Sequence, residues 1–200
     1  MFFARRPSPE AIERFLRESR ELPLSYPSPG ILATGIARPH HLDEIVVPIG
    51  RGPRDLERAC GALRSWAHFD LGWVELFPAP APIDAGTTVA VLIRHLGFWS
   101  LNGCRVVYNL TADEGASRFG FAYGTLTNHA ESGEELFEVF LDATSGSVMY
   151  RIRAISWPQA MLARVGRPIV RALQARFRTD SADAMRRPAR CDQSGAGIGR

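Results

Sequence analysis

Lysine is missing altogether: all 24 basic residues of this 200-residue chain are arginine. That excludes Schiff-base chemistry at lysine and the lysine that grips phosphate in a P-loop. Cysteine is scarce, and Cys60, Cys104 and Cys191 are an odd set, which argues against a disulfide framework and makes the cytoplasm the expected compartment. No apolar run is long enough to span a bilayer. The opening MFFARRPSPE has no apolar stretch after its arginines, so no signal peptide is expected. No G-x-S-x-G occurs, so a hydrolase elbow is absent.

What is present is ordinary for a globular domain: 46% hydrophobic and 22% charged residues, enough chain to bury a sizeable core. The net charge of +3 is unevenly placed. Arg151 to Arg190 holds ten arginines against Asp180 and Asp183, a balance of +8; the remainder holds fourteen arginines against nineteen acids, −5. A basic C-terminal region can face nucleic acid or an anionic membrane. A solvated helix face explains it more simply, and nucleic acid is not an expected partner.

The most informative stretch is Phe98 to Leu126. Cys104, Val106, Tyr108 and Leu110 alternate with Arg105, Val107 and Asn109; Phe119, Phe121 and Tyr123 alternate with Gly120, Ala122 and Gly124. Period-two alternation marks half-buried strands, and the polar segment Thr111 to Ser117 between them reads as a turn. One strand thus carries three rings on one face and only glycine or alanine on the other.

Around it, Ser8 to Arg20 reads as a helix with Ser8 as N-cap and Pro9 in the first turn. Leu22 to His41, rich in proline, is expected to lie over the domain as a strap, because a free loop of that length is unusual. Asp43 to Ile49 reads as a strand, with Pro48 pointing to an edge. Pro53 to about Ala67 reads as a helix with Leu56, Ala59, Cys60, Leu63 and Trp66 on one face. Strands follow at Leu71–Phe77, Thr88–His95, Leu101–Leu110, Arg118–Thr125, Glu134–Asp142 and Ser147–Ile155, joined by short links that imply antiparallel pairing. A last helical region after Pro158 carries Leu162, Val165, Ile169, Leu173 and Phe177 as its apolar stripe, with a kink or break expected at Gly166 and Pro168.

The fold class that follows is α+β and helix-grip-like: a curved seven-stranded antiparallel sheet wrapped on a long C-terminal helix, plus an N-terminal helix and strap. The expected division is residues 1–42 for helix and strap, 43–187 for the helix-grip-like domain, and 188–200 for a disordered tail.

The run from Phe98 to Val139, with Gly50-Arg51-Gly52, the segment ALRSWAHFDLGWVELFP, Asn102, Cys104 to Tyr108, Phe119 to Leu126, His129, Glu131, Gly133, Glu134 and Glu135, and the ending Arg176-Phe177 with Ala184-Met185, resembles an uncharacterised bacterial and plant family. This is the domain-of-unknown-function family numbered nineteen-ninety. The resemblance covers roughly Tyr26 to Arg187. It implies a START-type, pollen-allergen-like helix-grip fold and brings no established activity or catalytic residues.

Several constellations invite chemistry. Gly50-Arg51-Gly52 between a strand and a helix can cradle phosphate, but Asp55 stands where a dinucleotide fingerprint needs glycine, so a tight turn is the expectation. His129, Glu131, Glu134 and Glu135 include metal-binding types, yet alternation sends Glu134 and Glu135 to opposite faces; no metal and no cofactor are expected. Arg105 can clamp an anion or pair with Glu134 or Glu138. Cys104 reads as a small core residue rather than a nucleophile.

Three functions remain open: a module binding a small apolar or amphipathic molecule between sheet and last helix; an enzyme of cyclase, dehydratase or hydrolase type using the same cavity through Tyr108, Tyr123, Arg105 and His129; and an interaction protein using the basic helix. The expected ligand-binding residues are Trp99, Asn102, Arg105, Tyr108, Phe119, Phe121, Tyr123 and Arg176, with the rings turned inward and Tyr108, Tyr123 and Arg176 forming a polar end. The rival arrangement turns Gly120, Ala122 and Gly124 inward and covers the rings with the strap. Oligomeric state is left open.

Overall fold

The computed structural model describes residues 1–34, 42–110, 117–157 and 167–189, with backbone alone for 167–170. The elements are β1 (Phe2–Phe3), α1 (Pro9–Ser19), α2 (Ile31–Thr34), β2 (Leu42–Arg51), α3 (Gly52–Arg64), a single 3-10 turn (Ala67–Phe69), β3 (Val74–Phe77), β4 (Thr88–His95), β5 (Phe98–Leu110), β6 (Arg118–Thr125), β7 (Ser132–Leu141), β8 (Ser147–Trp157) and α4 (Arg167–Ala189). The strand order is β2-β8-β7-β6-β5-β4-β3, antiparallel throughout. It is the meander that short connections dictate, closed by β2 as an edge, where Pro48 forgoes a ladder donor. An eighth strand, β1, was not expected from sequence; it pairs Phe2 with Ser100 and Phe3 with Trp99, beyond the point where β6 ends.

The pleat of β6 decides what lies on each side. Phe119, Phe121 and Tyr123 join Phe137, Val139, Tyr150 and Ile152 in the main core, covered by α3, the 3-10 turn and α4. The rings therefore turn inward. The C-terminal helix shares this face with a second helix: α3 lies on it with Leu56, Ala59, Ala62 and Leu63, and α4 adds Leu173, Phe177, Ala182 and Met185. The Tyr150 hydroxyl meets the Ser181 hydroxyl at 2.8 Å, tying α4 to the sheet. Leu162 and Val165 of the expected stripe lie outside the described residues, as do the side chain of Ile169 and the chain from 190 onward. Pro168 sits in the first turn of α4, where a missing N–H costs nothing.

The other face carries the N-terminal elements. α1 is capped by Ser8, whose hydroxyl accepts the Ala11 N–H at 3.3 Å, and lays Ile12, Phe15 and Leu16 on Ala90, Leu92 and Leu101. Residues 22–34 of the expected strap cross beside it, with Ile31 and Leu32 on Ala122, Leu136 and Ile155, while residues 35–41 lie outside the described residues. One carboxylate anchors it. Glu134, buried at 2% exposure, accepts from the Tyr26 hydroxyl at 2.7 Å, the Gly30 N–H at 2.7 Å and the Leu32 N–H at 3.1 Å. The small residues of β6 make room: a Cβ on Gly124 would overlap the Tyr26 hydroxyl.

Gly50-Arg51-Gly52 is a strand-to-helix turn. Gly52 takes φ +76°, and the Asp55 carboxylate accepts the Arg51 N–H at 2.7 Å, so the first turn of α3 already carries its anion. Trp66, at the end of α3, holds the left-handed region at φ +61°, a strained choice for a bulky residue. Its indole N–H donates to the Ala81 carbonyl at 2.9 Å, and its ring stacks on His68 at 5.6 Å. His68 is fully buried among Trp66, Phe69, Phe121 and Phe137, and neither ring nitrogen has a partner among the described residues. Burial pushes it down to about 3, so it is neutral.

Gly124→Ala should dislodge Tyr26, costing about 1–3 kcal/mol and exposing residues 22–34 to limited proteolysis well before the sheet is cut. His68→Leu should stabilise the fold, and more so in acid. In the parent protein the unfolded chain takes a proton at His68 below about pH 6.5 and the folded one does not, so stability falls with pH there and the variant is spared. The gain in melting temperature should be larger at pH 5 than at pH 8.

Candidate functional site

Along the inward face, the residues near one end of the sheet are small or polar: Ser100 and Asn102 on β5, Thr125 on β6, Gly133 on β7, and Ala154 and Ser156 on β8. They cannot fill the space beneath the N-terminal half of α4. A cavity of about 490 Å³ results. Its apolar wall comes from Phe69, Trp73, Val91, Ile93, Leu173 and Phe177.

The opposite wall is polar. Tyr123 donates its hydroxyl proton to the Glu135 carboxylate at 2.8 Å. Burial pushes Glu135 up to about 7; the nearby charges of Glu131 and Asp43 push the same way, while the tyrosine bond and Arg178 oppose it. Glu131 is raised too, mainly by burial, and accepts from the Gln174 amide at 3.2 and 3.3 Å. His129 takes the Glu131 N–H on Nδ1 at 2.9 Å, and burial lowers it to about 4. The Asn102 side chain accepts the Ala130 N–H at 3.2 Å, which fixes the turn between β6 and β7 against β5. Arg178 pairs with Asp43 at 3.3 Å, joining α4 to β2 at the rim.

Of the residues expected from sequence, Asn102 and Tyr123 line the cavity. Phe119 and Phe121 share the face of Tyr123 but lie deeper under α3, Phe119 beneath the Arg64 guanidinium at 4.1 Å and Phe121 against Trp66 at 4.7 Å. The other four do not line it. Trp99 faces outward, packed with the α1 cluster. Among the described residues Arg105 pairs with neither Glu134 nor Glu138: it donates to the Ser19 and Arg20 carbonyls at 3.3 and 2.9 Å, closing the C-terminus of α1. Tyr108 lies under the strap, because β5 carries a bulge. Val106 faces Tyr123, and the next pair is Tyr108 with Ala122, so Val107 is the extra residue and parity reverses after it. Arg176 stacks on Trp73 at 4.5 Å and bonds Asp180 at 3.3 Å, and the Trp73 indole N–H meets the same carboxylate at 2.8 Å. It steadies the wall from behind. The polar end is thus Tyr123 with Glu135, Glu131 and His129.

Glu134 and Glu135 do point to opposite faces, one to the strap and one to the cavity. Among the described residues no three His, Cys, Asp or Glu side chains are grouped to hold a metal. Cys104 is fully buried and its thiol is pushed up by that burial, which makes it a core residue.

Glu135→Gln should retain the tyrosine bond and change the pH dependence of stability. The folded protein keeps a proton on Glu135 up to about pH 7, whereas the unfolded chain releases it in the ordinary carboxylate range. Parent stability therefore declines as pH rises through that window. Urea unfolding should find the variant level with the parent near pH 4.5 and more stable by something on the order of 2 kcal/mol at pH 8.

Comparison with known proteins adds the following. A protein from Dictyostelium discoideum named UPF0548 protein is 32% identical over 203 residues, covering 92% of this chain and 94% of its own. One of the same name from Deinococcus radiodurans is 35% identical over 204 residues, covering 96% and 100%. Among solved structures, an aromatase/cyclase from Streptomyces sp. R1128 is similar over 79% of this chain and all of its own, with 13% identity and a TM-score of 0.48. The protein TTHA0849 from Thermus thermophilus is similar over 74% and 97%, with 10% identity and a TM-score of 0.49. The family described as Domain of unknown function (DUF1990) matches residues 26–184. With most of its length so matched, the chain belongs to the DUF1990 family.

Proposed function

We propose that this protein is a small-molecule-binding module that holds an amphipathic ligand in the cavity between the sheet and α4. The cavity itself carries the reading. At about 490 Å³ it falls among ligand pockets, roughly 300–1,000 Å³, and it is apolar on one wall and polar on the other. The setting we infer is the cytoplasm, because Cys60 and Cys104 are free thiols.

A second reading, an enzyme working in the same cavity, is favoured by the Tyr123–Glu135 pair. A carboxyl near 7 can give or take a proton at neutral pH, which suits a cyclase, dehydratase or hydrolase reaction. The basic helix offers less to nucleic acid. Arg178 pairs with Asp43, Arg176 with Asp180 and Arg186 with Asp183, while Arg187 donates to the Asp70 carbonyl at 3.2 Å. Among the described residues no helix is long and apolar enough to cross a membrane.

Native mass spectrometry of the purified protein should reveal a retained small molecule, or the empty protein should take up the uncharged dye Nile red. Ala154→Trp, which places an indole in the cavity, should abolish uptake in a protein that still unfolds cooperatively. Unchanged dye binding in that variant would place the ligand elsewhere and sink the reading.

A further inference from the structure

The mouth of the cavity carries an apolar rim. Phe98 pairs with His95 across the β4–β5 hairpin, and Phe2 of β1 pairs with Ser100. The pleat therefore sends Phe2, His95 and Phe98 to the face of Ser100 and Asn102, which is the face that holds the cavity. Phe2 and His95 border the cavity, with their rings edge to face at 6.2 Å. Leu96 makes the turn between the two strands. Leu96 is 71% exposed, Phe98 54% and Phe2 53%. With Met1 they are four of the six exposed large hydrophobic side chains among the described residues. Single apolar residues at a surface are ordinary; a contiguous group at a cavity mouth is not. Leu96 also holds the left-handed region at φ +49°, where stability alone favours Asn, Asp or Gly.

The edge projects, and its charge has one sign. β5 pairs with β6 only from Cys104 onward, so residues 98–103 have β4 on one side and only the short β1 on the other. Residues 1–6 and 94–100 hold Arg5, Arg6 and Arg94 and no acid. Arg6 pairs with Glu75, and Arg5 and Arg94 are exposed. Burial lowers His95, so it brings no charge to the rim near neutral pH.

We propose that this edge docks on an anionic lipid bilayer, and that the amphipathic ligand passes between bilayer and cavity across the same rim. Leu96, Phe98 and Phe2 enter the boundary between headgroups and acyl chains, and Arg5 and Arg94 meet the lipid phosphates. The path rests on the reading that the cavity is a ligand site; the docking surface does not. An amphipathic molecule that leaves a bilayer through water exposes its apolar body, and an apolar rim at the mouth shortens that exposure. A projecting turn offers little area to a protein partner, whereas a bilayer needs only a few inserted side chains and nearby cations.

Co-sedimentation of the full chain with vesicles tests the surface. Vesicles of phosphatidylcholine and phosphatidylglycerol in equal parts should retain the protein, and phosphatidylcholine alone should retain less of it. Leu96→Asp with Phe98→Asp should bind the mixed vesicles at least about tenfold more weakly. That variant should still take up Nile red, because neither side chain lines the cavity. Leu96→Asn, which suits the left-handed backbone, should weaken binding in the same direction and serves if the double variant fails to fold. Nile red carried in the cavity should pass to the mixed vesicles faster from the parent than from Leu96→Asn. No retention on mixed vesicles, or retention untouched by the substitutions, would overturn the docking surface and leave the cavity reading standing wherever Nile red binds. A concentration-dependent dimer that the double variant abolishes, without vesicle binding, would give the edge to a second copy instead. Docking with equal transfer rates would overturn the path. If Nile red does not bind at all, the path falls with the cavity reading, and the vesicle assay still decides the surface.

Discussion

The pleat of one strand divides this molecule. From Phe119 to Gly124 of β6, rings alternate with glycine or alanine, and a strand sends such neighbours to opposite faces. The ring face has to be covered by something broad, and α3 with α4 supplies it. The glycine face permits an approach that no side chain would allow, and Tyr26 occupies it, close enough that a methyl group on Gly124 would overlap its hydroxyl. The strap and the helical layer are thus two consequences of one alternation. The adjacent strand repeats the logic: Glu135, Phe137 and Val139 turn toward the helices, Glu134 and Leu136 toward the strap.

This is why much of the fold was legible in the sequence. The strands, their antiparallel order, the caps of α1 and the strap all rest on local patterns that tertiary contacts reinforce. Two things were hidden. β1 is two residues long, too short to show a period. The bulge at Val107 leaves no mark either, because Cys104, Val106, Tyr108 and Leu110 alternate without interruption while the backbone shifts by one residue. Tyr108 was placed on the wrong face for that reason, with every later residue of β5.

The site was less legible, for a different reason. Its positions were sought among large aromatic and basic residues, which are the ones a fold consumes. Phe119 and Phe121 fill the core under α3, Arg105 closes a helix end, and Arg176 braces Trp73. A cavity forms where side chains are too small to meet, and the sequence does carry that signal. Applied to the inward registers near one end of the sheet, alternation yields Ser100, Asn102, Thr125, Gly133 and Ala154. Glu135 was visible in the same way, as an acid at the head of an otherwise apolar face.

Two adjacent carboxyls of β7, Glu134 buried and Glu135 half-buried, show how differently neighbouring acids can be held. Glu134 receives three donors, two of them backbone N–H groups, and its burial holds the strap in place. Glu135, the next residue, receives one side-chain donor among the described residues, and its surroundings push it up to about 7. A core tuned for stability alone would replace it with an amide or an apolar residue, since an acid whose pKa is raised by folding weakens the fold above its ordinary titration range. The structure carries that burden beside a space that none of the described residues fills, under a helix held to the sheet edge by the Arg178–Asp43 pair. His68 carries a similar burden elsewhere, packed against Trp66, Phe69, Phe121 and Phe137. An acid left near neutrality beside an opening can give or take a proton there, which is the property the proposed ligand site would use.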